Sequence, residues 1–176
     1  SRKRAIFVGI FILLAYAVLG SGNPNEKFLG MVLEIISGIA VLSIAFLMYP
    51  LFATYDNRLA SWYLILKCFE AFFMVLAGIL FYIHTSELLF IRENIYLIHT
   101  YIFVAGAFIF YYLLYWLTLV PRWLSLWGVV ASLLLVVVNL LESMGAIAQI
   151  PILYLPIVLN EVVLALWLIV KGFKNK

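Results

Sequence analysis

The stretch ASWYLILKCFEAFFMVLAGILFYI, residues 60–83, decides the fold. It exceeds the roughly 20 apolar residues that a helix needs to cross ~30 Å of hydrocarbon. Yet Lys67 and Glu70 sit in its middle. A charge held near the bilayer centre costs roughly 2.5–3.5 kcal/mol even on the gentlest insertion scale. Glu161 repeats the oddity inside a second apolar run. Three ionisable residues at nearly one depth make the membrane interior the first place to look for a site.

Composition points the same way. The 176-residue chain is 68% hydrophobic and only 11% charged, with a mean hydropathy of +1.19. Ordinary soluble domains are about half apolar and a quarter charged, so an integral membrane protein is the class that fits. Six apolar segments are predicted as helices, at about 5–20, 28–54, 60–83, 95–120, 123–145 and 150–172. Backbone groups in lipid must pair within their own segment, and no ten-residue polar/apolar alternation suggests a barrel. Breakers fall between the segments: Gly20-Ser21-Gly22-Asn23-Pro24, Asp56-Asn57, Glu93-Asn94 and Pro121. The short loops predict an all-α integral membrane fold, a compact bundle of six transmembrane helices in one domain, 1–176. No internal repeat supports an inverted-repeat transporter. Arg2-Lys3-Arg4 ahead of an apolar block has the outline of a signal peptide. The same block serves as the first transmembrane helix, which six-helix topology requires, and that reading is preferred.

Basic residues set the expected orientation. Arg2, Lys3, Arg4, Arg58, Arg122, Lys171, Lys174 and Lys176 fall on the side shared by the termini, against Lys27 and Arg92 opposite. Eight against two predicts a multi-pass protein of the cell membrane with both termini cytoplasmic. Trp62, Trp123, Trp127 and Trp167, with Tyr63, are expected as an aromatic belt near the cytoplasmic headgroups. Basic residues form no patch of the kind that binds nucleic acid. The one cysteine, Cys68, excludes an intrachain disulfide or a CxxC metal site.

Small and polar residues form stripes at helical spacing. The second helix has Gly30, Glu34, Ser37, Gly38 and Ala45; the third has Tyr63, Lys67, Glu70, Met74 and Gly78. The fourth offers His99 and Gly106, the fifth Gly128, Ser132, Asn139 and Glu142. Spacings of three, four and seven put each set on one face. Such stripes serve first to let membrane helices approach and hydrogen-bond.

Depth singles out a few residues. At ~1.5 Å per residue, Glu70 and Glu161 each lie roughly 15 Å from the cytoplasmic end of their helices. Lys67 can neutralise one carboxylate. The other must be protonated, bind a cation or open onto water. These charges share a site if helices three and six are neighbours, and Asn160 and Glu161 follow Pro156, which is expected to kink the sixth helix. The candidate binding set is Lys67, Glu70, Asn160, Glu161 and Glu34. A shallower group of His84, His99 and Glu142, near Glu87 and Glu93, offers metal- or haem-ligand chemistry without a diagnostic spacing. No GxSxG, Gly-rich phosphate loop or zincin signature is present.

Four pieces of sequence together resemble a known family. They are Arg4-Ala5 leading to Gly9; Lys67 three residues before Glu70-Ala71; Pro121-Arg122-Trp123-Leu124-Ser125 with Trp127-Gly128; and Glu161 running into Leu164-Ala165-Leu166-Trp167-Leu168-Ile169-Val170-Lys171-Gly172-Phe173. The chain resembles the bacterial and archaeal integral membrane family known as domain of unknown function 4386, with Lys67 where that motif carries arginine. The resemblance implies six membrane helices and supplies no activity.

Three functions follow from these residues. The first is a proton- or cation-linked transporter or a binder of a small molecule, ion or lipid, using the mid-membrane carboxylates and lysine. The second is an accessory or assembly subunit whose stripes pack against other membrane subunits. The third is a membrane-embedded enzyme or redox protein with metal or haem near His84 and His99; a lipid-directed enzyme would use the glutamates as acid and base.

Overall fold

The computed structural model describes residues 1–23, 25–83, 85–148 and 150–174. Six helices follow in order: α1 (Arg2–Ala15), α2 (Lys27–Phe52), α3 (Asn57–Ile83), α4 (Ser86–Trp116), α5 (Arg122–Ser143) and α6 (Leu155–Val170). Short 3-10 turns extend α1 over Tyr16–Gly20 and precede α6 over Pro151–Tyr154. With those turns, six spans are long and apolar enough to cross a membrane. No strand occurs among the described residues. This is a multi-pass helical membrane protein.

Local chemistry explains the boundaries. The Asp56 carboxylate accepts the backbone N–H groups of Arg58 at 2.8 Å and Leu59 at 3.0 Å, capping the first turn of α3. Gly145 (φ 69°) and Gly172 (φ 75°) close α5 and α6 in the left-handed conformation that glycine adopts without a side-chain clash.

Two expected boundaries need correction. α4 begins at Ser86 rather than 95, capped by the Thr85 hydroxyl at 3.4 Å from the Leu88 N–H. Glu93-Asn94 therefore breaks nothing; the Asn94 amide folds back onto the Phe90 carbonyl at 2.9 Å and stays inside the helix. Pro156 does not kink α6 from within. It occupies the first turn, where a missing N–H has no helical partner to lose. The expected break at Pro24 lies outside the described residues.

Packing runs around a ring. α1 lies on α2, α2 on α3, α3 on α4, α4 on α5, α5 on α6, and α6 returns to α1. α3 and α6 thus stand opposite each other across the bundle axis instead of packing as neighbours. Glycines permit the close seams. A Cβ at Gly9 would lie 2.6 Å from the Ala165 carbonyl oxygen, and one at Gly128 would lie 2.3 Å from the Tyr111 ring. The small-residue stripes therefore work as packing surfaces within the chain.

The termini share one face with the α4–α5 loop: the Lys174 N–H donates to the Leu119 carbonyl at 2.8 Å. Below the bundle's middle, that face is filled by a core that includes Phe52, Tyr63, Phe110, Leu113, Leu114 and Leu168. Tyr63 belongs here and not to the aromatic belt. It is fully buried, stacked on Phe110 at 5.8 Å and edge-on to Phe52 at 5.2 Å. It shares the inward face of Lys67, one turn away, while Trp62 and Trp123 are exposed.

At Gly9 the obstacle is backbone on the facing helix, which cannot rotate aside. A Gly9→Leu variant should lose about 1–3 kcal/mol by overpacking the α1–α6 seam. Gly22→Ala, with nothing within 4 Å of the new methyl, should stay within about 0.5 kcal/mol of the parent. Unfolding of the two variants in detergent micelles measures both; equal stability would contradict the seam.

Candidate functional site

A ring of six helices leaves room at its centre. A cavity of about 690 Å³ lies there, with walls from every helix, including Ile12 and Ala15, Val41 and Ile44, Lys67 and Glu70, His99 and Phe103, Leu135, and Val158 and Glu161. Most of the wall is apolar, and the polar groups converge where α3, α4 and α6 face one another.

Lys67 and Glu70 lie one turn apart on α3, with Nζ 2.7 Å from Oε2. The residues are only 8% and 2% exposed, so neither charge is solvated by bulk water. The ammonium lies 5.1 Å from the Phe103 ring centroid. A methyl at Gly106 would come within 3.3 Å of Lys67 Cε. Glycine at that position on α4 therefore makes room for the lysine stem, and a neighbouring ring faces its charge.

Glu161 stands on the opposite wall, half-buried. Its Oε2 accepts the Tyr16 hydroxyl at 2.7 Å. No cation pairs with it: among the described residues the ion pairs are Lys67–Glu70 and Arg92–Glu34. Tyr63 and Tyr111 border the cavity, and their buried hydroxyls have no hydrogen-bond partner among the described residues. His99 also lines the cavity, its Nε2 likewise unpartnered.

The structure thus brings Lys67, Glu70 and Glu161 to one cavity, and separates the rest of the candidate set from it. Glu34 lies outside the cavity wall, 2.6 Å from the Arg92 guanidinium and 2.9 Å from the Ser21 hydroxyl. Arg92 is in turn sandwiched between Phe81 and Tyr96, at 4.6 and 4.7 Å from their ring centroids. Asn160 turns away onto α5, its amide donating to the Leu124 carbonyl at 3.0 Å. Glu142 accepts the Tyr154 hydroxyl. His84 lies outside the described residues. Among those described, no three His, Cys, Asp or Glu side chains gather to hold a metal.

Sequence reading missed Arg92, Tyr16 and Tyr111. A signal for Arg92 existed: Arg92, Tyr96, His99, Phe103 and Gly106 follow one another at spacings of four, three, four and three, one helical face that runs back past residue 95. Tyr16 had no comparable signal, because its partner lies 145 residues away.

Residues 83–172 match the family described as domain of unknown function (DUF4386). That is just over half of the chain, and the chain belongs to this family. No curated protein and no solved structure matches it. The matched region contains Glu161, Tyr111, His99 and Arg92; Lys67 and Glu70 precede it. Its motif residues have visible structural roles here. Gly128 seats the Tyr111 ring, Ala165 meets Gly9, and Gly172 ends α6.

The ion pair on α3 makes a stability prediction. Glu70→Gln leaves Lys67 charged and unpaired in the bundle and should cost about 3–5 kcal/mol. The double variant Lys67→Met/Glu70→Leu removes both charges and should be close to the parent. Denaturant unfolding in micelles compares them. A Glu70→Gln protein as stable as the parent would rule out a buried, mutually dependent pair.

Proposed function

We propose that this member of the DUF4386 family binds a small molecule within the membrane, in the cavity its six helices enclose. One observation carries the reading: a central cavity collects Lys67, Glu70 and Glu161 on largely apolar walls. Its volume, about 690 Å³, falls within the roughly 300–1,000 Å³ of small-molecule sites, which are mostly apolar with a few convergent polar groups. Intramembrane ionisable residues that face such a cavity are functional before they are structural. An amphipathic ligand fits this lining, its apolar body against Ile12, Val41 and Leu135 and its polar end at the carboxylates.

The cavity has a direction. Phe52, Tyr63 and Phe110 pack ring against ring in the core below it. Its rim reaches Leu19 and Leu155, both exposed. Ligand entry from the face opposite the termini, or sideways from lipid, follows from that arrangement. Continuous packing on the terminal side favours binding over passage across the membrane. The excess of Lys and Arg on the terminal face supports placing both termini in the cytoplasm, with the chain in the cell membrane. The rim then opens toward the outside.

Two experiments test this reading. The purified full chain, extracted with organic solvent and analysed by mass spectrometry, should release a small molecule at near-stoichiometric yield. An Ala107→Trp variant, which fills the cavity from α4, should release none while remaining folded. Equal yields from the two proteins would refute binding in the cavity. For orientation, a fluorescent protein fused to the C-terminus should be bright in cells, and an alkaline phosphatase fusion at the same point inactive; the reverse pattern would invert the topology.

A further inference from the structure

Charge decides which kind of small molecule the cavity favours, provided the cavity is the ligand site argued above. Lys67 is committed to Glu70 at 2.7 Å, so that pair is neutral as a unit. Arg92 is committed to Glu34 and does not line the cavity. Glu161 is the remaining acid on the wall, and its partner, Tyr16, supplies a hydrogen bond without a compensating charge. The ionised wall therefore carries one surplus negative charge. Tyr16 meets that carboxylate, and Tyr63, Phe103, Phe110 and Tyr111 belong to the same cavity wall. The buried hydroxyls of Tyr63 and Tyr111 have no partner among the described residues. The neighbouring Lys67–Phe103 contact shows that this lining already holds one ammonium against a ring.

A carboxylate among aromatic faces, in a largely apolar chamber, is the chemistry that recognises organic cations. We infer that the cavity takes a lipophilic organic cation, an ammonium or related onium carried on an apolar body. Its charge sits at Glu161, beside the Tyr16 ring. An organic anion of equal size meets the surplus acid and is disfavoured. A neutral ligand leaves the carboxylate without a counter-charge.

Tetraphenylphosphonium and tetraphenylborate, which share size and shape and differ in sign, separate these cases. Equilibrium dialysis uses the full chain in uncharged maltoside micelles, with empty micelles subtracted. The phosphonium should bind saturably and the borate should not. Glu161→Gln should weaken phosphonium binding on the order of thirtyfold, the lower end for losing one partner of a buried charge pair. Glu161→Asp should recover part of that loss, which guards against a merely misfolded variant, and Ala107→Trp should abolish binding. Borate binding as tight as phosphonium binding, but blocked by Ala107→Trp, would overturn the cation assignment and leave the cavity reading standing. Phosphonium binding unchanged by Glu161→Gln would also overturn it. Binding of neither ion, or binding indifferent to Ala107→Trp, would count against the cavity itself.

Discussion

The seam between α1 and α6 is the contact on which the rest of the structure depends. Six antiparallel helices laid side by side make a row, and a row has no interior. Only the return of α6 onto α1 closes them into a ring, and Gly9 permits it by letting α1 come against the Ala165 carbonyl. In lipid no hydrophobic force draws helices together, so close van der Waals approach at small residues must do so. The other glycines divide by what they admit. Gly30 and Gly38 let α2 press on its neighbours' backbones, while Gly106 and Gly128 make room for the Lys67 stem and the Tyr111 ring. The same substitution pattern that closes the ring thus also positions groups on the cavity wall.

The charges inside the bundle are accommodated in different ways. Lys67 and Glu70 neutralise each other within one helix, which needs no precise helix–helix registry. Arg92 and Glu34 do so between helices, with two aromatic rings covering the guanidinium. Arginine suits that position because its planar, weakly hydrated head stacks on rings and still pairs with a carboxylate. Glu161 has hydrogen-bond support without charge support. Buried acids left in that condition depend on their surroundings for a proton or a cation, and its surroundings are the cavity.

Much of the fold was legible in the sequence, because hydrophobic length and helical period are local properties. Asp56, Gly145 and Gly172 end or start helices through contacts within a few residues. Lys67, Glu70 and Glu161 were conspicuous because charge in an apolar run is rare whatever surrounds it. What failed was long-range. Asn94 reads as a breaker unless its side chain satisfies itself on the preceding turn, as it does with Phe90. Pro156 reads as a kink only if the helix has already begun; a 3-10 turn from Pro151 delays α6 to Leu155. Tyr63 sits near a helix end in sequence and in the core in space, because rotation about the helix, not depth, decides burial. Which helices would face each other across a ring was beyond local pattern, and the placing of Asn160 on α5 and of Glu34 on Arg92 followed from it.

Helix direction explains why Tyr16 and Glu161 meet although their backbones stand at different heights. Gly9 meets Ala165 across the seam; at 1.5 Å per residue, Tyr16 stands ~10.5 Å beyond that contact and Glu161 ~6 Å, both away from the terminal face. Side chains on a helix lean toward its N-terminus. α1 and α6 run antiparallel, so Tyr16 leans down toward the terminal face as Glu161 leans up from it. The two side chains close an offset of ~4.5 Å that the backbone alone would leave. The cavity's unpaired acid is consequently held by the same two helices whose contact closes the ring. Had α6 run parallel to α1, both side chains would lean the same way. The Glu161 carboxylate would then lack the hydroxyl that keeps it at the wall.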